Sequence, residues 1–278
     1  FDPIYISLLA AGEASGNLAV VLSRLASYLE RDAAFKSKII SALIYPGILT
    51  VAGLGALFFM AVKIIPTFAN IFKGFDIQLP LITRMLIFVS DFLRNYLLFL
   101  ILISGAVVFL FKKYVGTKEG RRVYEKIKFK LPVFGEFFMA TNIEKFSSEM
   151  STLLESGVPI LYCLDIAERS VNNLTMGDII RKIKESVREG KPLREPLESC
   201  GFFEPMVVQM ISIGEEIGEL PQMFKKINQF YQELCETFLA RFVSMFEPFI
   251  LIFMGIMIGI MVIGMFLPIF QIARIGGG

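Results

Sequence analysis

Few residues in this chain have types and spacing suited to chemistry. The three cysteines, Cys163, Cys200 and Cys235, are odd in number and contain no C-x-x-C pair, so they fit neither a zinc site nor a disulfide framework and read as reduced packing residues. Histidine is absent, which removes His-based metal sites, Ser-His-Asp triads and Cys-His dyads together. No G-x-x-x-x-G-K-[ST] loop occurs, so any nucleotide energy must come from another polypeptide. What remains is acids in unusual settings: Glu13 and Glu215, each inside a G-E-x-x-G turn, and Glu247 just before Pro248. A lone carboxylate with no histidine, metal ligand or second acid is a poor catalyst. The expectation is a protein that is not an enzyme, with no catalytic residue, metal or cofactor.

The two turns, Gly12-Glu13 with Gly16 and Gly214-Glu215 with Gly218, have a plain structural reading. Glycine permits positive φ, and the glutamate can cap or pair with a nearby helix end. A partner contact through Glu13 or Glu215 is the functional alternative. Ser156-Gly157-Val158-Pro159 reads as a left-handed glycine stop followed by a proline that opens the next helix. Gly190-Lys191-Pro192 and Gly201 to Pro205 repeat that logic.

The elements that must position these turns are helical. Residues 137–245 read as about six helices with no period-2 pattern, and the helix opened by Pro221 carries an apolar stripe of Phe224, Ile227, Phe230, Tyr231, Leu234 and Phe238. An apolar share of 55% and a mean hydropathy of +0.64 exceed the roughly 45–50% apolar content of soluble domains. From Ile39 to Val62 and from Pro248 to Ala273 no residue is charged. Each run exceeds the roughly 20 residues a helix needs to cross a bilayer. A third run, Asn95 to Phe111, falls at the lower limit. Gly255-x-x-x-Gly259 offers a flat face for close helix approach, either within the subunit or against another membrane helix. Pro46 and Pro248 lie at one end of their spans, Pro66 and Pro268 at the other, as kinks or helix ends.

After the second span come Lys112, Lys113, Lys118, Arg121, Arg122, Lys126, Lys128 and Lys130, against Glu119 and Glu125 alone. Such a juxtamembrane excess of basic residues stays in the cytoplasm. It reads as a topology signal and a contact for membrane lipid phosphate, and with a net charge of only +2 it gives no case for nucleic acid. Sliding the sequence on itself by 202 residues superposes its two ends without a gap. Phe1, Asp2 and Pro3 fall on Phe203, Glu204 and Pro205; Gly12, Glu13 and Gly16 fall on Gly214, Glu215 and Gly218; Pro46 meets Pro248 and Pro66 meets Pro268. Residues from about 131 to 201 have no counterpart ahead of Phe1, so part of a first lobe is expected to be missing there.

The expected organisation is an all-α membrane protein with three transmembrane helices and duplicated cytoplasmic helical bundles of about six helices each, the first truncated. The segments are 1–40 as the remnant of the first cytoplasmic lobe, 41–65 as transmembrane helix 1 and 66–94 as a periplasmic loop. Transmembrane helix 2 follows at 95–114, the second cytoplasmic lobe at 115–246, transmembrane helix 3 at 247–268 and a periplasmic tail at 269–278.

These features resemble the GspF/PilC family of inner-membrane proteins from type II secretion systems and type IV pili. The resemblance covers essentially the whole chain. It rests on the duplicated G-E-x-x-G-x-L turn, Tyr45-Pro46, Leu79-Pro80 with Thr83, Pro132 with Phe134-Gly135, Leu153 to Pro159, Asn172-Asn173, Glu247-Pro248 and Leu267-Pro268. Tyr45 stands where the second copy has Glu247, so an acid at that position is not shared by both repeats. The resemblance implies a non-enzymatic platform of the bacterial inner membrane that couples a cytoplasmic hexameric ATPase to extraction of pilin or pseudopilin subunits. It also implies contact with other inner-membrane assembly proteins and homo-oligomers. On that reading the two turns and the Ser156, Gly157 and Pro159 loop shape the cytoplasmic surface, and Gly255 and Gly259 the membrane surface. The rival class is a small-repeat membrane transporter or channel subunit, which would normally carry polar or ionisable residues at mid-membrane; these spans carry none there.

Overall fold

A computed structural model describes residues 3–15, 18–73, 79–132, 134–171 and 173–276. Phe1, Asp2, Gly16 and Asn172, which carry part of the repeat and motif argument, lie outside the described residues. The elements are α1 (Pro3–Ser15), α2 (Leu18–Phe59), a π-helical turn (Met60–Ile64), α3 (Ile65–Lys73), α4 (Leu81–Val115), α5 (Lys118–Lys130) and α6 (Phe134–Glu155). They continue with α7 (Ile160–Ser170), α8 (Leu174–Arg188), α9 (Arg194–Ser199), α10 (Pro205–Glu216) and α11 (Leu220–Gly276). The fold is all-α, with no strand among the described residues. Three helical stretches, Leu18–Phe72, Leu81–Val115 and Leu220–Gln271, are long and apolar enough to cross a membrane.

The chain divides into two compact units, one of Phe1–Ile39 with Tyr114–Leu239, the other of Ile40–Lys113 with Ala240–Gly278. In the first, α6 to α10 and the start of α11 are the helices expected between 137 and 245. Their breaks are local chemistry. Gly157 sits at φ 79° and Gly218 at φ 77°, a left-handed conformation that costs glycine nothing because it has no Cβ. After each, a backbone N–H reaches back five residues, Val158 to the Leu153 carbonyl at 3.1 Å and Glu219 to the Gly214 carbonyl at 2.8 Å, closing a Schellman cap. Pro159 is the N-cap of α7.

The core of this unit joins Met150 and Leu153 of α6, Leu164 of α7, Ile180 of α8 and Phe224 and Ile227 of α11 with Ile4 and Leu8 of α1, all nearly inaccessible to water. Burial of such side chains contributes about 1.5–3 kcal/mol each. Thus α1 packs on α6 and α7. The Glu149 carboxylate is buried with it, accepting the Ser170 hydroxyl at 2.5 Å and facing the Lys145 ammonium at 3.6 Å.

In the second unit the segment expected to be a loop, 66–94, is helical through Lys73 and again from Leu81. Arg84, Asp91 and Arg94 interrupt the apolar run without interrupting the helix, because charge ends a span more readily than it ends helical hydrogen bonding. Pro80 starts α4, its carbonyl accepting from Arg84 N at 3.0 Å. None of the four prolines ends a helix. Pro46 lies inside α2, Pro248 and Pro268 inside α11, and Pro66 in the first turn of α3.

Candidate functional site

The two G-E-x-x-G turns show what their first glycine does. Gly214 and Gly12 are helical rather than left-handed, and the need is space. A Cβ on Gly214 would stand 2.7 Å from Met223 Cγ, and one on Gly12 would stand 3.1 Å from both Leu18 Cδ1 and Val21 Cβ. Val21 and Met223 are themselves 202 residues apart, so the same close approach of a helix to its successor is built twice. Positive φ belongs to the last glycine of the motif, Gly218; its repeat mate Gly16 is outside the described residues. Glu215 turns inward: both of its carboxylate oxygens accept the Leu193 N–H, at 3.1 and 2.9 Å, which satisfies a donor at the N-cap of α9. Glu13 is exposed. Ser156 donates its hydroxyl to the Thr152 carbonyl at 2.8 Å, while Gly157 and Pro159 are exposed.

Cys163 and Cys235 are held away from thiolate chemistry. Burial pushes the Cys163 thiol up to about 12 and the Cys235 thiol up to about 11, and a thiolate is the reactive form.

In the second unit the repeat becomes a side-by-side pairing. Tyr45 donates its hydroxyl to Glu247 at 2.9 Å across a sequence separation of 202, so the two residues before Pro46 and Pro248 meet directly. Further along, a Cβ on Gly53 would lie 2.9 Å from Met254 S. Beyond that, Leu57, Ala61 and Ile65 share a buried cluster with Met261 and Met265. The two repeat-related helices therefore run parallel and in register. Gly255 and Gly259 take no part in this seam: nothing lies within 4 Å of a Cβ built on either.

Helix α4 fastens the pair through two hydroxyls that the sequence reading did not bring together. Thr83, 3% exposed, donates to the Gly264 carbonyl at 2.6 Å, and Ser90, fully buried, donates to the Ala61 carbonyl at 2.5 Å. Both acceptors are carbonyls that a proline deprives of the regular helical donor. In α11 the residue four after Gly264 is Pro268, which has no N–H. In the π-helical turn Ile65 N–H bonds the Met60 carbonyl, and the next donor in that register, for Ala61, would come from Pro66. A buried carbonyl without a partner is costly, more so in lipid where no water can serve it. Thr83 and Ser90 are seven residues apart and share one face of α4. Close approach at Gly264 completes the arrangement, since a Cβ there would stand 2.4 Å from Leu86 Cδ1. The legible signal was a proline in each repeat with hydroxyls at two-turn spacing on the intervening helix; which carbonyl meets which hydroxyl needs the tertiary structure.

Comparison with known proteins gives this duplicated geometry a family. The sequence profile of type II secretion system (T2SS), protein F, matches residues 1–66 and 146–268, two stretches that end on the repeat mates Pro66 and Pro268. The chain belongs to the type II secretion system protein F family. Among curated members of this family, the type IV pilus assembly protein PilC of Thermus thermophilus is 41% identical over 273 residues, covering 98% of this chain and 67% of that protein. PilC of Pseudomonas aeruginosa is 32% identical, covering 100% of this chain and 74% of its own length. The type II secretion system protein F of the same organism is 34% identical, covering 100% and 68%. The chain spans about two thirds of the length of these relatives.

Proposed function

We propose that this family member is a non-catalytic platform of the bacterial inner membrane that couples a cytoplasmic hexameric ATPase to extraction of pilin or pseudopilin subunits and their addition to a filament base. The observation that carries this reading is the parallel, in-register pairing of two repeat-related long helices, each entered from a glycine-tuned helical hairpin. Such a scaffold offers surfaces rather than a reaction centre, and the names of the relatives belong to pilus assembly and type II secretion. The excess of lysine and arginine from Lys112 onward supports a cytoplasmic side for residues 115–246, and with them residues 1–40. Residues 41–65, 95–114 and 247–268 are the core of the three spans, with 66–94 and 269–278 on the periplasmic side. The open Gly255 and Gly259 face is the surface offered to a passing membrane helix. The lobes, including the turn around Glu13, are the surface offered to the ATPase and to other inner-membrane assembly proteins.

The test is reconstitution of the protein in lipid nanodiscs with the assembly ATPase of its own system. The expected result is co-purification of the ATPase and no ATP hydrolysis by this chain alone. Failure of the ATPase to associate, or solute flux through the protein by itself, would refute the proposal.

A further inference from the structure

The first unit contains a cavity of about 280 Å³ bounded by the end of α4, by α5, by α6 and by the start of α8. Its walls include Val115, Arg121, Tyr124, Lys128, Phe138 and Asn142. The volume lies at the lower bound of the roughly 300–1,000 Å³ of pockets that enclose drug-sized ligands, a size suited to a headgroup. Two features set its chemistry. The Lys128 ammonium is held over two rings, 4.6 Å from the Tyr124 centroid and 4.7 Å from that of Phe138, and among the described residues no carboxylate lies within 4.0 Å of it. Ring faces hold a cation in place without neutralising it, so its N–H donors remain available to an anion. The acid in the wall, Glu125, is by contrast fully engaged: it pairs with Arg121 at 3.1 Å and accepts the Leu174 and Thr175 N–H groups at 2.8 and 3.2 Å. The cavity therefore carries a net positive charge, with the Lys128 ammonium seated against its aromatic wall.

Its place along the chain supplies the ligand. Val115 is four residues past Phe111, where the uncharged run of α4 ends, a rise of about 6 Å along a helix. The headgroup layer on each side of the hydrocarbon is about 5–7 Å deep. We propose that this cavity binds the phosphate of an anionic phospholipid headgroup, with Lys128 and Arg121 facing the phosphate oxygens and the rings of Tyr124 and Phe138 facing the glycerol. The inference rests on the cytoplasmic-platform reading for its side of the membrane, and lipid retention on purified protein needs no ATPase or filament, so either can fail alone.

The experiment counts lipids retained per chain by native mass spectrometry after delipidation and titration with phosphatidylglycerol or phosphatidylcholine. One phosphatidylglycerol per chain is expected, held about tenfold more tightly than phosphatidylcholine, whose phosphate is the same but whose choline cation is repelled by the Lys128 ammonium. K128Q is expected to remove that preference and K128R to keep it. K112Q/K113Q, which deletes juxtamembrane charge outside the cavity, is expected to leave the preference in place, with circular dichroism confirming that every variant is folded. Full retention by K128Q, or equal loss in K112Q/K113Q, would overturn the site. Displacement of the lipid by inorganic phosphate at equal concentration would reassign it to a soluble phosphate.

Discussion

Replacing Thr83 by valine keeps the shape of the side chain and deletes its hydroxyl. The Gly264 carbonyl then loses its 2.6 Å partner in a helix where Pro268 supplies no alternative. Hydrogen bonds between membrane helices average about 0.6 kcal/mol and reach about 1–2 kcal/mol. Thr83 belongs at the upper end, because its hydroxyl is buried and its acceptor lacks the N–H that a residue other than proline at position 268 would supply. A loss of about 1–2 kcal/mol is expected for Thr83→Val, read from reversible unfolding in mixed detergent micelles, while Thr83→Ser should stay within about 0.5 kcal/mol. The decisive arm is a double-mutant cycle with Pro268→Ala. Alanine restores an N–H four residues after Gly264, so in that background Thr83→Val should cost close to nothing, giving a coupling of about 1 kcal/mol. Ser90→Ala should lose a similar amount, and the two losses should add, since the hydroxyls are about 10 Å apart along α4 and serve different helices. An equal cost of Thr83→Val with and without Pro268 would refute the idea that α4 compensates for the prolines.

Other expectations follow from single contacts. Desolvation of the half-buried Glu144 pushes its carboxyl up to about 7 from an ordinary 4.5, with Asp32 and Glu149 adding to the rise, and Asn228 and Lys145 opposing it. The folded state thus holds the proton more tightly than the unfolded chain, so stability should fall as pH rises from 4.5 to 7 and level off above, by at most about 3 kcal/mol. Glu144→Gln, which can still accept from Asn228, should flatten that slope in pH-resolved denaturation; an unchanged slope would rule out Glu144 as its source. Glu215→Ala should destabilise the first unit by about 1.5–3 kcal/mol by leaving the Leu193 N–H without its carboxylate, measured by thermal unfolding; an unshifted midpoint would show that the contact contributes nothing. Gly214→Ala should cost about 1–3 kcal/mol through overpacking against Met223, whereas Gly255→Ala and Gly259→Ala should be neutral or stabilising by up to about 1 kcal/mol. Destabilisation by either of the latter two in the isolated protein would mean that their face is already packed.

Much of the fold was legible because its signals are local. Gly157 and Gly218 mark helix stops through backbone φ, which no neighbouring element needs to supply. The stripe from Phe224 to Phe238 holds only in part: Phe224, Ile227 and Tyr231 are buried, but Phe230 and Leu234 are 43% and 41% exposed, and the buried face of α11 continues through Cys235 and Leu239. Contact-dependent features were not legible in the same way. The small-residue pattern at Gly255 and Gly259 pointed to close approach, yet within the unit it is Gly53 and Gly264 that admit a neighbour, because a glycine records available space and not which side chain fills it. Glu215 accepts an N–H at a helix N-cap, but from a donor 22 residues upstream that no local pattern names. Nor does the repeat transfer burial: Ile4 is 0% exposed against α6 and α7, while its mate Met206 is 40% exposed. The helical extent of α4 was underestimated because Arg84, Asp91 and Arg94 break an apolar run without breaking a helix.

The most direct test of the platform reading places a photo-crosslinking side chain at Gly259 in cells that are assembling filaments. An adduct between this chain and the membrane helix of the filament subunit, lost when the ATPase is inactivated, is the expected result. Absence of any such adduct, together with normal filament assembly by Gly259→Leu, would contradict the reading.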